Sequence, residues 1–153
     1  MEYQVTLHTD HFQFFVADEQ YQTNTATIWT EEALHHQVAC GTDLVAVGTV
    51  RYGGETRVIV RLDNGNDVRD HVKADDAPWC EITISSGIVA LFAPESDYAT
   101  CPRISVPPGR YSVLVVVENG DKVQDELAVS GNDQYLIIFT RVSGNTGIRA
   151  AYT

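Results

Sequence analysis

Along most of the chain, hydrophobic and polar residues alternate with a period of two, the mark of strands buried on one face. Tyr3 to His8 alternates in this way, and Phe12 to Ala17 follows at once. Further runs are Leu44 to Val50, Arg57 to Leu62, Glu81 to Ser85 and Ile88 to Phe92. Ser86-Gly87 separates the last two and predicts a hairpin turn. Arg103 to Val106 is short and stops at Pro107-Pro108. Tyr111 to Val117 is almost wholly apolar, as expected of a central strand covered on both faces. Asn119-Gly120 suits a two-residue type I′ turn, so Lys122 to Val129 is expected to return as the partner strand. Tyr135 to Arg141 and Ile148 to Tyr152 close the chain across the glycine-rich stretch Ser143 to Gly147.

One stretch predicts a helix, over Glu31 to Ala39. Thr30 can cap it, Glu31 and Glu32 suit its positive end, and Gly41 can stop it. Ala33, Leu34, Val38 and Gln37 would form its inner face, and Trp29 would anchor its entrance in the core. About ten strands and one helix predict a mainly β fold: an antiparallel two-sheet β-sandwich, or a partly open barrel, with one short helix. The 153 residues fit one domain, residues 1–153, that buries roughly two thirds of its unfolded surface.

Composition narrows the function. The formal net charge is -11, from 21 acids against 10 bases. Nucleic acid and anionic membranes attract basic surfaces, so direct binding to either is not expected. A basic protein is the partner that this charge permits. No apolar run approaches the ~20 residues of a membrane span, and the start Met1-Glu2-Tyr3-Gln4 lacks the pattern of a secretory signal. Cys40, Cys80 and Cys101 are odd in number and far apart, without a C-x-x-C pair. They read as reduced, buried thiols rather than a disulfide framework or a zinc site, which suits the cytoplasm.

Few constellations offer chemistry. His8 and Asp10 would share a strand face and His11 would not, so a metal or general-base reading needs a third group; the plainer reading is a polar turn. His35 and His36 on the helix point about 100° apart and cannot chelate one ion easily. Asp63-Asn64-Gly65-Asn66-Asp67 has the flavour of a calcium loop but fails the EF-hand spacing, and a plain turn fits better. No nucleophile, phosphate-loop or dinucleotide motif occurs. The chain therefore reads as no enzyme, with no cofactor and no metal needed for folding.

The acids are unevenly placed. Asp63, Asp67, Asp70, Asp75 and Asp76 crowd one connection, answered by Arg69 and Lys73. Glu118, Asp121, Asp125 and Glu126 lie at or beyond a turn, answered by Lys122. Either they are a solvated surface, or they imitate nucleic-acid phosphates toward a basic protein. The first connection is the expected contact and the second is the alternative, with an apolar centre drawn from Phe12, Phe15, Tyr21, Trp79 or Tyr98.

The order of motifs resembles the competence protein J family, inhibitors of the nuclease of DNA uptake. The likeness is carried by Gln13-Phe14-Phe15-Val16, by Trp29-Thr30-Glu31-Glu32-Ala33-Leu34, by Arg57-Val58-Ile59-Val60-Arg61-Leu62 and by Ile104-Ser105-Val106-Pro107-Pro108-Gly109-Arg110-Tyr111. These stretches fall within about residues 5–117. The resemblance implies a small cytosolic β-rich inhibitor without catalysis, in which Trp29 and Phe14 are core residues, Thr30 a helix cap and Gly109 a turn residue. It supplies no inhibitory residues. The leading reading is thus a protein inhibitor of a nuclease, binding a basic nucleic-acid groove through an acidic surface. The alternative is a non-catalytic β-sandwich module for a small ligand or a structural protein partner. Partner identity, strand order and oligomeric state stay open.

Overall fold

The computed structural model describes residues 1–63 and 78–142. Two five-stranded sheets pack face to face. In chain order the elements are β1 (Glu2–Thr9), β2 (Gln13–Asp18), α1 (Glu31–His36), β3 (Val38–Cys40), β4 (Leu44–Gly48) and β5 (Gly54–Asp63), followed by β6 (Trp79–Ile84), β7 (Ile88–Phe92), β8 (Arg103–Ser105), β9 (Gly109–Glu118) and β10 (Gln134–Arg141). One sheet runs β1-β5-β10-β9-β6 and the other β3-β4-β2-β7-β8. Among the described residues the pairing is antiparallel except between β5 and β10.

The period-two pattern is what fills the space between the sheets. Phe14 and Val16 of β2, Val58 and Val60 of β5, Ile82 and Ile84 of β6, Val113 and Val115 of β9, and Tyr135, Ile137 and Phe139 of β10 all meet in one core. The intervening residues face outward. On β10 these are Leu136 and Ile138, which form a second apolar cluster with Leu114. The outer face of the other sheet carries a third, in which Ala33 of α1 packs with Phe15, Ala39, Leu44 and Phe92.

Four expectations are corrected. The helix stops at His36 rather than Ala39, because Gln37 turns left-handed and its N–H bonds back to the Ala33 carbonyl. Val38 to Cys40 then pairs with β4 and buries Val38 and Ala39. Ala33 is the buried face of so short a helix, and Leu34, turned about 100° away, is exposed. Secondly, β6 and β7 do not pair with each other. They lie in opposite sheets, and Ser86-Gly87 is the crossing between them. Buried Asp18 holds that crossing, accepting from the Ser86 backbone N–H at 3.0 Å and its hydroxyl at 2.6 Å. Thirdly, the partner of β9 is β10 and not Lys122 to Val129, with Gln134 opposite Glu118. Asn119 does turn left-handed, but a single 3₁₀ turn and an irregular loop follow.

The fourth correction concerns cysteine. Cys40 and Cys80 form a disulfide between β3 and β6, and so between the two sheets. Strands far apart in sequence bring the two Cα atoms to 5.6 Å, within bridging distance. Cys101 is free and half-buried. The argument from reduced thiols to a reducing compartment falls with this pairing. Among the described residues no helix is long and apolar enough to cross a membrane.

Candidate protein-interaction site

Asp63 and Glu118, the first residue of each acidic stretch, sit toward opposite ends of one sheet. Asp63 closes β5 beside Thr140, which pairs with Ser112, whereas Glu118 pairs with Gln134, which lies beside Arg57. Six residue steps along β9, from Ser112 to Glu118, separate the two levels, about 20 Å of strand. Asp63 and Glu118 therefore cannot share one small contact. Asp63 is half-buried; Asp67, Asp70, Asp75 and Asp76, with the 64–67 turn, lie outside the described residues. Glu118, Asp121, Asp125 and Glu126 are all exposed. Glu118 accepts from the Gln134 side chain at 2.7 Å, and Asp125 accepts from the Leu127 N–H at 3.0 Å.

The Glu118 end carries more than acids. β1 meets β5 there, Thr9 opposite Gly54. The chain then turns into β2 through His11 and Phe12, with Asp10 bridged to Gln13. Both central residues have positive φ, 53° and 59°. A two-residue turn of this kind, here between strands of opposite sheets, asks for this and normally recruits Asn-Gly. For a bulky His and Phe it costs on the order of 1 kcal/mol or more each, a strain that tends to mark functional positions.

This turn presents Phe12 edge-on to Tyr52, with ring centres 5.3 Å apart, and His11 lies 5.5 Å from the same ring. Phe12 and Tyr52 remain 38% and 40% exposed. The loop after β9 lies against them. The Tyr52 N–H donates to the Glu126 carbonyl at 2.6 Å, and the Glu55 N–H donates to the Val129 carbonyl at 2.8 Å. Leu127 and Val129 on that loop are 70% and 74% exposed. Gly54, at φ 97°, lets the loop come so close: a Cβ there would stand 2.3 Å from the Val129 carbonyl oxygen.

Arg51 fixes the loop from beneath. Its Nε donates to Asp133 Oδ1 at 2.7 Å, and both side chains are sealed from solvent. The rest of the guanidinium donates to the carbonyls of Gly53, Ala128 and Glu55. Asp133 accepts in turn from the Tyr135 hydroxyl at 2.9 Å, and that oxygen accepts from the Val50 N–H at 2.8 Å. Burial, above all, lifts the Tyr135 phenol well above its ordinary range.

At the edge of this surface Asp10 Oδ1 pairs with His11 Nδ1 at 2.7 Å, and Asp10 Oδ2 accepts from the Glu95 N–H at 3.2 Å. The Asp10 hydrogen bond is the main cause of a raised His11 pKa. Left-handed backbone at His11 brings together two neighbours that strand geometry would hold apart. The third group that sequence could not place is Glu95; one ligand atom from each of the three lies within 4.8 Å of the others. His8 is exposed on β1 outside that trio.

Of the aromatic residues proposed as a binding centre, Phe12 alone is exposed. Phe15 is buried on Phe92, Tyr21 and Tyr98 pack half-buried around the same ring, and Trp79 is half-buried. Sequence reasoning missed Tyr52, Leu127, Val129 and Glu95. Leu127 and Val129 did leave a signal, two apolar residues in an acidic segment outside any true strand. A groove of about 380 Å³ beside the loop is lined by polar side chains, among them Thr6, Glu55, Arg57, Asn119 and Lys122, not by the apolar walls usual for small-molecule pockets.

Two solved structures match this architecture over nearly their whole length. The first is ComJ from Bacillus subtilis, an inhibitor of the DNA-degrading activity of NucA, with a TM-score of 0.65 and 15% identity over 93% of this chain and 98% of that one. The chain has a ComJ-like fold. The second is crocagin biosynthetic gene J, with a TM-score of 0.62 and 19% identity over 92% of this chain and 97% of that one. No family model matches the sequence, and no curated protein sequence matches it. The ComJ-like fold extends well past residue 117, where the sequence likeness stopped.

Proposed function

We propose that this protein is a non-catalytic inhibitor that binds a basic nuclease through the Glu118 end of the sandwich. The observation that carries this is the coincidence, on one rigid end, of exposed apolar side chains with acids around them. Phe12, Tyr52, Leu127 and Val129 supply the apolar contact. Glu118, Asp121, Asp125 and Glu126 supply negative charge where a nuclease groove presents Lys and Arg to phosphates. Interfaces draw affinity from such a centre and association rate from complementary charge. The ComJ-like fold supports the reading, since ComJ inhibits a nuclease.

The connection through Asp63, Asp67, Asp70, Asp75 and Asp76 remains the second contact to test. The two groups of acids share no residue, so mutation tests them separately. The experiment mixes the protein with the nuclease encoded nearest to its gene and follows DNA cleavage at low and high salt. Inhibition is expected at low salt and should weaken as salt screens the charges. Reversal of Glu118, Asp121, Asp125 and Glu126 to Lys, or Phe12→Ala with Tyr52→Ala, should abolish it. Cleavage undiminished by a large molar excess at low salt would refute the reading for that nuclease. Inhibition that survives those changes but is lost on reversing Asp67, Asp70, Asp75 and Asp76 would move the contact to that connection.

A further inference from the structure

We infer that Asp10, His11 and Glu95 form a binding site for a divalent transition-metal cation of the Zn²⁺ type. Each offers one ligand atom within 4.8 Å of the other two. Bonds of about 2.0–2.2 Å to nitrogen and oxygen set tetrahedral ligands roughly 3.3–3.6 Å apart, so closure asks for about an ångström of adjustment. His11 and Glu95 are exposed and can supply it. Asp10 is the fixed member. Its side chain is only 15% exposed, and its second oxygen is held by the Glu95 N–H at 3.2 Å. Metal-ligating carboxylates are commonly oriented by such outer hydrogen bonds.

The donor set decides the class of ion. Calcium and magnesium prefer cages of oxygen, whereas an imidazole beside two carboxylates suits zinc and its neighbours. An ion in place of the proton between His11 Nδ1 and Asp10 Oδ1 would spread that pair from 2.7 Å to about 3.3 Å. Three protein ligands leave a fourth position open. A cleft of about 370 Å³, to which His8, Asp97 and Cys101 contribute, lies alongside to receive it. Asp10 and His11 lie on the turn from β1 into β2, and Glu95 follows β7. A bound ion would therefore tie that turn to the segment after β7.

The test is calorimetric titration of the full chain with Zn²⁺ at neutral pH, paired with thermal melts. One site is expected, and saturating Zn²⁺ should raise the melting temperature. His11→Asn keeps a residue that tolerates the left-handed turn but removes the imidazole. It and Glu95→Gln should each weaken binding about tenfold or more, and abolish most of the thermal shift. His35→Ala with His36→Ala should change neither. Absence of binding up to millimolar Zn²⁺ overturns the inference. So does unchanged affinity in both His11→Asn and Glu95→Gln, or its loss in the His35/His36 variant. None of these readouts involves a nuclease, so the proposed inhibition can fail while this site stands.

Discussion

Arg51 and Asp133, 82 residues apart in sequence, form an ion pair at 2.7 Å that is closed to solvent beneath the loop they hold in place. A buried pair of this kind adds little net stability when complete and costs much when broken, because the remaining charge is stranded in a poor solvent. Arg51 also donates to the backbone carbonyls of Gly53, Glu55 and Ala128. It thereby ties the β4–β5 turn, which bears Tyr52, to the loop that bears Leu127 and Val129.

Arg51→Met is expected to destabilise the protein by about 3–5 kcal/mol, measured by urea unfolding. Arg51→Met combined with Asp133→Leu should recover part of that loss, since no unpaired charge is left behind. A cost below about 1 kcal/mol for the single change would mean that water reaches the pair.

The Cys40–Cys80 bridge closes a span of 40 residues. Chain-entropy reasoning puts its contribution at about 4 kcal/mol at most, with the usual range about 2–4. Urea unfolding of oxidised and reduced protein measures it. Thiol titration of the denatured, unreduced chain should find one cysteine, and after reduction three. In the folded protein Cys101 should react more slowly than a free thiol at pH 8. Burial, its largest influence, raises its pKa, and a smaller thiolate fraction means slower alkylation.

Trp29 is half-buried, and its indole N–H donates to Gln13 Oε1 at 2.8 Å. It packs on the small cluster of Phe15, Ala33 and Ala39 rather than in the main core. Trp29→Ala is therefore expected to cost about 2 kcal/mol in urea unfolding, short of the roughly 3–5 of a fully buried aromatic.

Replacing His11 by Asn and Phe12 by Gly gives the β1–β2 turn the residues its backbone favours. Stability should rise by about 1 kcal/mol while inhibition falls, if the strain is kept in order to display Phe12. A drop in melting temperature would show instead that the Phe12–Tyr52 contact outweighs the strain.

The sequence by itself determined the class of fold and most of the strands, because burial on one face imposes a period of two that can be counted locally. It determined the helix start as well. The Thr30 hydroxyl accepts from the Ala33 N–H at 3.0 Å, and such a cap spans only three residues. It fixed the net charge and the two acidic stretches. What tertiary structure decided lies wherever a choice depends on distant partners. Ser86-Gly87 is as good a hairpin turn as it is a crossing, and buried Asp18, 68 residues away, selects the crossing. Val38 to Cys40 could extend a helix, and β4 claims it as a strand. Cys40 meets Cys80 because β3 and β6 face each other across the sandwich. Arg51 meets Asp133 across 82 residues of chain. Glu95 reaches Asp10 and His11 across 84 residues of chain. Neither periodicity nor spacing records such meetings, since each is settled by which surfaces the sheets bury against one another.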